Sequence, residues 1–376
     1  MGVFRPISLV HSFAKLFTKV LSNRLRPRLA KLVSCNQSAF IKGRNLHDNF
    51  MLVRQLARKI NKRKESGLLL KLDISRAFDT LSWAFLFEVL RKMGFPEEFL
   101  SWLAICMCTA STKVLVNGVL GQKISQVRGL RQGDPLSPQL FVLAMETFTL
   151  LFLRATESRL LQPIGNSTPV QRVSIYADDV VIFLKPEIHD LRAIKGILNW
   201  FGQTTGLHVN FQKTSATLIR AGVQTKELVA TTLQCPVVDF PIKYLGMQLA
   251  LRPLTKNQWQ PMLDAATNIT PAWMRGMIAR PGRLTLVKSV MSARPIHHLL
   301  IADAPGWVLA AMEKCFRGFF WAGKDTANGG QCLVAWDRIC RPQEYGGLGV
   351  KDLRLHSLAL RVRWEWLRRS DSERPW

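Results

Sequence analysis

Apolar residues recur along this chain with two periods, and the alternation between them predicts its elements. Phe13, Leu16, Phe17, Val20, Leu21 and Leu25 share one face of a helical repeat within residues 1–34. Lys15, Lys19, Arg24, Arg26 and Arg28 fill other positions. This predicts an amphipathic helix with a basic outer side. Residues 46–65 read as a second helix, ending in Lys59, Lys62, Arg63 and Lys64. A short apolar run at 68–72 reads as a strand leading into Asp73. Two helices follow over 84–110. The second is opened by Pro96, with Glu97 and Glu98 in its first turn where the helix dipole favours them. Residues 113–127 read as a hairpin turning at Asn117 and Gly118.

The long apolar run at 136–153 contains Gln139 and Glu146 and reads as a buried helix, not a membrane span. Ser137 is its expected N-cap, with Pro138 at the first position. Two Val- and Ile-rich runs then flank Ala177, Asp178 and Asp179, which predicts strands joined by a turn. A helix over 188–201 closes at Gly202 or Gly206, and a strand is expected at 207–210. Tyr244, Leu245 and Gly246 read as the centre of another short strand. Residues 1–250 therefore predict an α+β domain, with one mostly antiparallel sheet backed by helices. Helical signals, Trp and Arg dominate from about 254, among them Trp259, Trp273, Arg283, Lys288, Trp307 and Trp321. This gives a helical domain over 251–325. A basic region over 326–376 carries Gly346, Gly347 and Gly349 and a helix with Arg361, Arg363, Arg368 and Arg369. No internal repeat is visible.

Composition narrows the partners. The 376 residues are 48% hydrophobic, with mean hydropathy +0.06, enough apolar material for a sizeable core. The net charge is +26, so a polyanion is the expected partner. The cations are spread along the chain and not gathered on one helix, which favours nucleic acid over a membrane surface. The seven Cys form no Cys-x-x-Cys pair, and a reducing compartment is expected. Cys106 and Cys108 read as buried thiols. Cys332, Cys340 and His356 could supply metal ligands, although their spacing matches no zinc pattern. No signal peptide is evident, so an intracellular location, nucleus or cytoplasm, is expected. The glycosylation patterns at Asn166 and Asn268 then read as chance matches.

The chemistry concentrates in a few acids. Asp73 ends a buried strand, where a charge is costly unless it is paired or binds a metal. Asp178 and Asp179 repel each other across one turn, and a divalent cation would offset that; a solvated turn is the plain alternative. One Asp at a strand end and two at a hairpin tip can converge on two ions roughly 3.5–4 Å apart, which stabilise both oxygens of a phosphoryl transfer. Phe78 is close enough to line the same pocket, and Asp79 reads as a cap for the following helix. Lys42 and Arg44 flank Gly43 and could grip phosphate oxygens. The glycine loop at 128–138 runs into a helix N-terminus that could receive phosphates.

Taken together these segments resemble the reverse transcriptase of LINE-type non-LTR retrotransposons, particularly the plant kind. The matching stretches begin at Arg5-Pro-Ile-Ser-Leu, Gln37-Ser-Ala-Phe-Ile-Lys-Gly-Arg and Leu72-Asp-Ile-Ser-Arg-Ala-Phe-Asp. They continue through Gly129-Leu-Arg-Gln-Gly-Asp-Pro-Leu-Ser-Pro, Tyr176-Ala-Asp-Asp, Gly206-Leu-His-Val-Asn-Phe-Gln-Lys and Tyr244-Leu-Gly. Arg283-Leu-Thr-Leu-Val-Lys-Ser-Val and Gly346-Gly-Leu-Gly-Val extend the likeness over nearly the whole chain.

The resemblance implies a right-hand polymerase. Its fingers would cover about 1–70 and 84–125, its palm the remainder of 1–250, and its thumb 251–325. It implies an RNA-directed DNA polymerase acting on an RNA template, a DNA primer and dNTPs, with two Mg²⁺ ions for which Mn²⁺ could substitute. No protein partner is inferable, and no membrane is expected. Asp73 and Asp178 would hold both metals, with Asp179 in support. Phe78 would lie under the incoming sugar and exclude a ribose 2′-hydroxyl. Gln132 and Gly133 would contact the nucleotide. Arg44 would reach the triphosphate, together with Lys42. Lys213 would protonate or neutralise the leaving pyrophosphate, and Tyr176 would help to place the primer end. The resemblance also implies a polymerase core cut from a longer element, without the usual upstream finger segment. A catalytically inactive relic that binds nucleic acid passively is the alternative reading. An intron-encoded or telomere-type polymerase would share the palm, but the Gly346-Gly-Leu-Gly stretch matches the LINE pattern.

Overall fold

The computed structural model describes residues 8, 10–165, 168–267, 276–371 and 374–376. Arg5, Pro6, Ile7, Leu9, Asn166, Asn268 and Trp273 lie outside the described residues. The chain divides into two units, Met1–Leu245 with Pro375–Trp376, and Gly246–Arg374.

The first unit is built on a four-stranded antiparallel sheet. Its strands are β1 (Gly67–Leu72), β6 (Val173–Tyr176), β7 (Asp179–Leu184) and β8 (Ser215–Ile219), in the order β6-β7-β1-β8. The central strand β1 is a nearly unbroken apolar run because both faces of the sheet are covered. On one face Leu68, Leu70, Leu72, Ile175, Val180, Ile182 and Leu184 join a core with α6 (Ser137–Glu157) and α7 (Ile188–Thr205). Phe148 of α6 meets Phe201 of α7 edge-on at 5.0 Å. Over the other face lies α2 (Leu46–Lys62), which packs against β6 and β8.

The expected α+β architecture with an antiparallel sheet is therefore the observed one. Helix α6 is long and apolar enough to cross a membrane, but 67% of its most apolar window is buried inside the protein, as the core helix it was expected to be. The hairpin at Asn117 and Gly118 is also present, between β3 (Leu115–Val116) and β4 (Val119–Leu120). Both turn residues take positive φ, as a tight hairpin turn of this kind requires.

Several local expectations change. Helix α1 (Ser12–Leu32) buries Leu21, Leu25 and Leu29, but its first half leaves Phe13 and Leu16 74% and 65% exposed. The N-cap of α6 is Leu136, whose N–H is met by the Asp134 carboxylate at 2.8 Å, so Ser137 is already inside the helix. Asp79 does not cap the following helix α4 (Trp83–Lys92); the Ser82 hydroxyl does, accepting from Phe85 N–H. Leu245 and Gly246 are not mid-strand. They take φ +47 and +81 between β9 (Ile242–Tyr244) and β10 (Met247–Leu249), where a turn reverses the chain.

In the second unit Trp259, Met262, Val287, Met312 and Phe316 form a core that also contains Ile339, Val350 and Leu353. Residues beyond 326 thus share the core of the helices before them. A π-helical turn at Val287–Met291 turns Lys288 so that its ammonium donates to the Leu348 carbonyl at 2.9 Å. Cys332 and Cys340 pack against this apolar cluster, and burial pushes the Cys340 thiol up to about 11. Among the described residues no three His, Cys, Asp or Glu side chains gather closely enough to hold a metal, and Cys332, Cys340 and His356 are no exception.

Candidate active site

The site is set by strand register. β6 and β7 pair with Tyr176 opposite Asp179, which leaves Ala177 and Asp178 as a two-residue turn. Ala177 takes φ +55, a left-handed conformation that costs an L-residue roughly 1–2 kcal/mol. Such strain persists where the surroundings over-determine it. β1 pairs with β7 down to Leu72 opposite Val180. Asp73 follows directly on Leu72, so it stands at the end of β1 that lies beside the start of β7 at Asp179. Asp73, Asp178 and Asp179 are thereby brought to one end of the sheet, all partly exposed.

The backbone of Asp73 is fixed from the other side. Its N–H donates to the Thr214 hydroxyl at 3.1 Å, and its carbonyl accepts from Asn210 N–H at 2.8 Å. The expected strand at 207–210 is reduced to a bridge between Val209 and Ile74, with Ser75 N–H donating to the His208 carbonyl. Asn210 also receives Lys213 N–H, so exposed Lys213 stands on the turn that holds Asp73.

Phe78 is held from two directions. Leu130 N–H donates to the Phe78 carbonyl at 2.6 Å, and Gly129 N–H to the Leu81 carbonyl at 2.8 Å. From the opposite side Ser82 N–H donates to Thr205. A Cβ on Gly206 would stand 2.3 Å from the Thr80 carbonyl oxygen. The Phe78 ring stacks on Phe141 of α6 with centroids 4.4 Å apart. Gln132 Nε2 donates to Asp79 Oδ1 at 3.3 Å, and the Gln132 carbonyl accepts from Ser8 N–H at 2.9 Å. Gly133 is exposed beside it at φ +103.

Arg44 has a different task from the one expected. Its two terminal nitrogens donate to the carbonyls of Ala30, Val33, Ser34 and Gln37 at 2.6–3.0 Å, closing the C-terminal end of α1. Those donors are occupied, and burial lowers its pKa. Lys42, exposed next to Gly43, remains directed to solvent.

The buried amides behind the Ala177–Asp178 turn were not legible in the sequence. Asn49 Nδ2 donates to the carbonyls of Asn36 and Ile175 and to the Ser174 hydroxyl, all within 2.9 Å. The Ser174 hydroxyl in turn meets the buried Tyr244 hydroxyl at 3.1 Å. Buried polar groups need partners, and these residues supply them to the edge strand β6. Only Tyr244 lies in one of the motifs, Tyr244-Leu-Gly; Asn36, Asn49 and Ser174 lie outside them and carry no local signal.

Residues 1–249 match the family described as reverse transcriptase (RNA-dependent DNA polymerase). This chain belongs to that reverse transcriptase family. The RNA-directed DNA polymerase class expected from the motifs is that of this family, and the expected α+β architecture with an antiparallel sheet is the observed one. Its relatives include a 149 kDa protein of transposon TX1 from Xenopus laevis, 26% identical over 93% of this chain and 26% of that protein. Another is a Pol polyprotein of a type-2 retrotransposable element from Drosophila melanogaster, 25% identical over 96% of this chain and 33% of that protein. This reverse transcriptase thus spans about a quarter to a third of the relatives it matches. A solved telomerase from Candida albicans, in complex with a fragment of telomeric RNA, covers 83% of the chain and 47% of its own. At 11% identity and a TM-score of 0.45, that likeness is too slight to build on.

Proposed function

We propose that this chain is the polymerase portion of a non-LTR retrotransposon protein and adds dNTPs to a DNA primer along an RNA template. The observation that supports the reading is the register by which the end of β1, at Leu72 just before Asp73, pairs beside the start of β7 at the Asp178–Asp179 turn. In this reading the sheet of the first unit is the palm and the helices of the second unit are the thumb.

The donor set fits Mg²⁺. It consists of hard carboxylate oxygens, which among the described residues do not gather closely enough to hold a metal by themselves. Mg²⁺ takes one or two carboxylates and completes its shell with water and substrate phosphate. Asp73, Asp178 and Asp179 would hold the ion pair. Bound there, it would activate the primer hydroxyl and balance charge on the leaving pyrophosphate.

The chain's own residues do the rest. Phe78, braced on Phe141 and clamped by Leu130, presents an apolar wall to the sugar. Gln132 and Gly133 line the nucleotide side of that wall. Lys213, standing on the Asn210 turn, offers a cation to the departing pyrophosphate. Lys42 offers a second to the triphosphate. Tyr176, paired with Asp179, places the primer end. The net charge of +26 supports salt-sensitive binding of both strands.

The test is primer extension on an RNA template with purified protein. Removing one preorganised charge-stabilising group commonly costs about 10²–10³ in rate, so Asp178→Ala should abolish detectable extension while RNA binding stays. Extension that survives this change would sink the assignment. Salt-dependent binding with no extension by the wild type would favour the inactive relic.

A further inference from the structure

The loop between α1 and α2 is joined to the catalytic hairpin. Residues 36–38 run alongside β6 in parallel, with Gln37 bridged to Ile175. Ile175 N–H donates to the Asn36 carbonyl at 3.0 Å, and Ser38 N–H to the Ile175 carbonyl at 3.3 Å. Gln37 is 1% exposed, and its side chain reaches past this bridge. Its Oε1 accepts from Ala39 N–H at 2.9 Å and from Ala177 N–H at 3.3 Å. Two backbone donors can be met only by the oxygen, so the amide orientation is fixed. Its Nε2, by contrast, is buried with no hydrogen-bond partner among the described residues.

That asymmetry is informative. A buried unmet donor is unfavourable, and an apolar side chain would avoid it. What the amide contributes is an acceptor, and one of its two donors belongs to the residue before Asp178. Ala177 is also the strained position of the turn, at φ +55. Strain of this kind needs a partner that holds it.

We infer that Gln37 is a positioning residue for catalysis, whose Oε1 holds the Ala177 N–H and so fixes Asp178 at the hairpin tip. It touches neither substrate nor metal. The loop that carries Gln37 also carries Lys42, so the acceptor ties that loop to the carboxylates. The inference rests on the polymerase reading for its kinetic consequence and on geometry alone for its structural one.

Two variants and two measurements test it. Gln37→Met keeps length and removes the acceptor. Gln37→Glu keeps both accepted bonds and removes the unmet donor. In primer extension, Gln37→Met should lower kcat by about 10²-fold, the loss that an ångström-scale misplacement causes. Its KM for dNTP should be unchanged, and Gln37→Glu should retain most of the wild-type kcat. Hydrogen exchange, read at the Ala39 and Ala177 amides, should be faster in Gln37→Met and near wild type in Gln37→Glu. Wild-type kcat in Gln37→Met overturns the inference, as does an equal loss in both variants. So does Ala177 exchange that ignores Gln37→Met. If the wild type itself fails to extend, the polymerase reading fails, and the exchange result still decides the role of Gln37.

Discussion

Gly129 lies against the backbone of Asp79, so closely that a Cβ at Gly129 would stand 2.4 Å from the Asp79 carbonyl oxygen. Gly129 also takes φ +79. Two independent demands for glycine meet at one position, and both serve the turn that carries Phe78. Gly129→Ala should therefore lose more than the roughly 1–2 kcal/mol of a left-handed alanine, because the Asp79 carbonyl must move as well. Gly43→Ala is the control: Gly43 takes φ +87 but has nothing within 4 Å of the added carbon. Thermal melts should show a larger drop for Gly129→Ala than for Gly43→Ala. Equal drops would mean that the close approach to Asp79 carries no weight.

The same turn predicts a change in sugar selectivity. Phe78 is braced on Phe141 and fixed by the Leu130 N–H bond to its carbonyl, so its ring cannot yield to a larger substrate. Phe78→Val opens that wall. Discrimination between dNTP and the matching ribonucleotide should fall by about 10²-fold, the scale an apolar pocket gives against an added hydroxyl. The ratio of kcat/KM for the two nucleotides measures it. An unchanged ratio would remove Phe78 from the sugar site.

These two predictions show where the sequence was readable. The strand into Asp73, the turn at Ala177 and Asp178, and the long core helix were legible because each is a local pattern of periodicity or turn chemistry. The motifs gave the residue types of the site for the same reason. What the sequence hid was which motif touches which. Gly129 and Gly206 both close on residues 78–82, and Asn36, Asn49, Ser174 and Tyr244 form one buried network behind β6. Those contacts join residues far apart in the chain and leave no periodic trace. The exposed first half of α1 failed for a related reason: periodicity finds an apolar face but not what covers it.

Arg44 illustrates the gap most directly. A cation beside a glycine in a loop invites a phosphate role, and the resemblance implied one. The geometry instead gives it four backbone carbonyls at the end of α1. Arg44→Lys keeps the charge but loses the planar fork that reaches several carbonyls at once. Each net hydrogen bond is worth about 0.5–1.5 kcal/mol, with bonds from a charged donor toward about 1.5–3. The variant should melt several degrees lower, with the KM for dNTP unchanged at a temperature where both proteins are folded. A raised KM with an unchanged melt would return Arg44 to the triphosphate.

Glu146 makes the stability of this region depend on pH. Its buried carboxylate accepts from the N–H and the hydroxyl of Ser34, at the same α1 end that Arg44 closes. Burial raises its pKa above 4.5; the Ser34 bonds and Arg44 pull the other way but weigh less. The folded chain therefore keeps this proton to a higher pH than the unfolded chain does. Protonation then favours the fold, so the contribution is fully present below about 4.5 and is lost as pH rises through the raised value. Glu146→Gln removes the titration and leaves a pH-independent change in the bonds to Ser34. The melting temperature of the variant minus that of the wild type should rise with pH across this window and be flat beyond it. A difference that falls with pH would show that Ser34 and Arg44, not burial, set the charge state of Glu146.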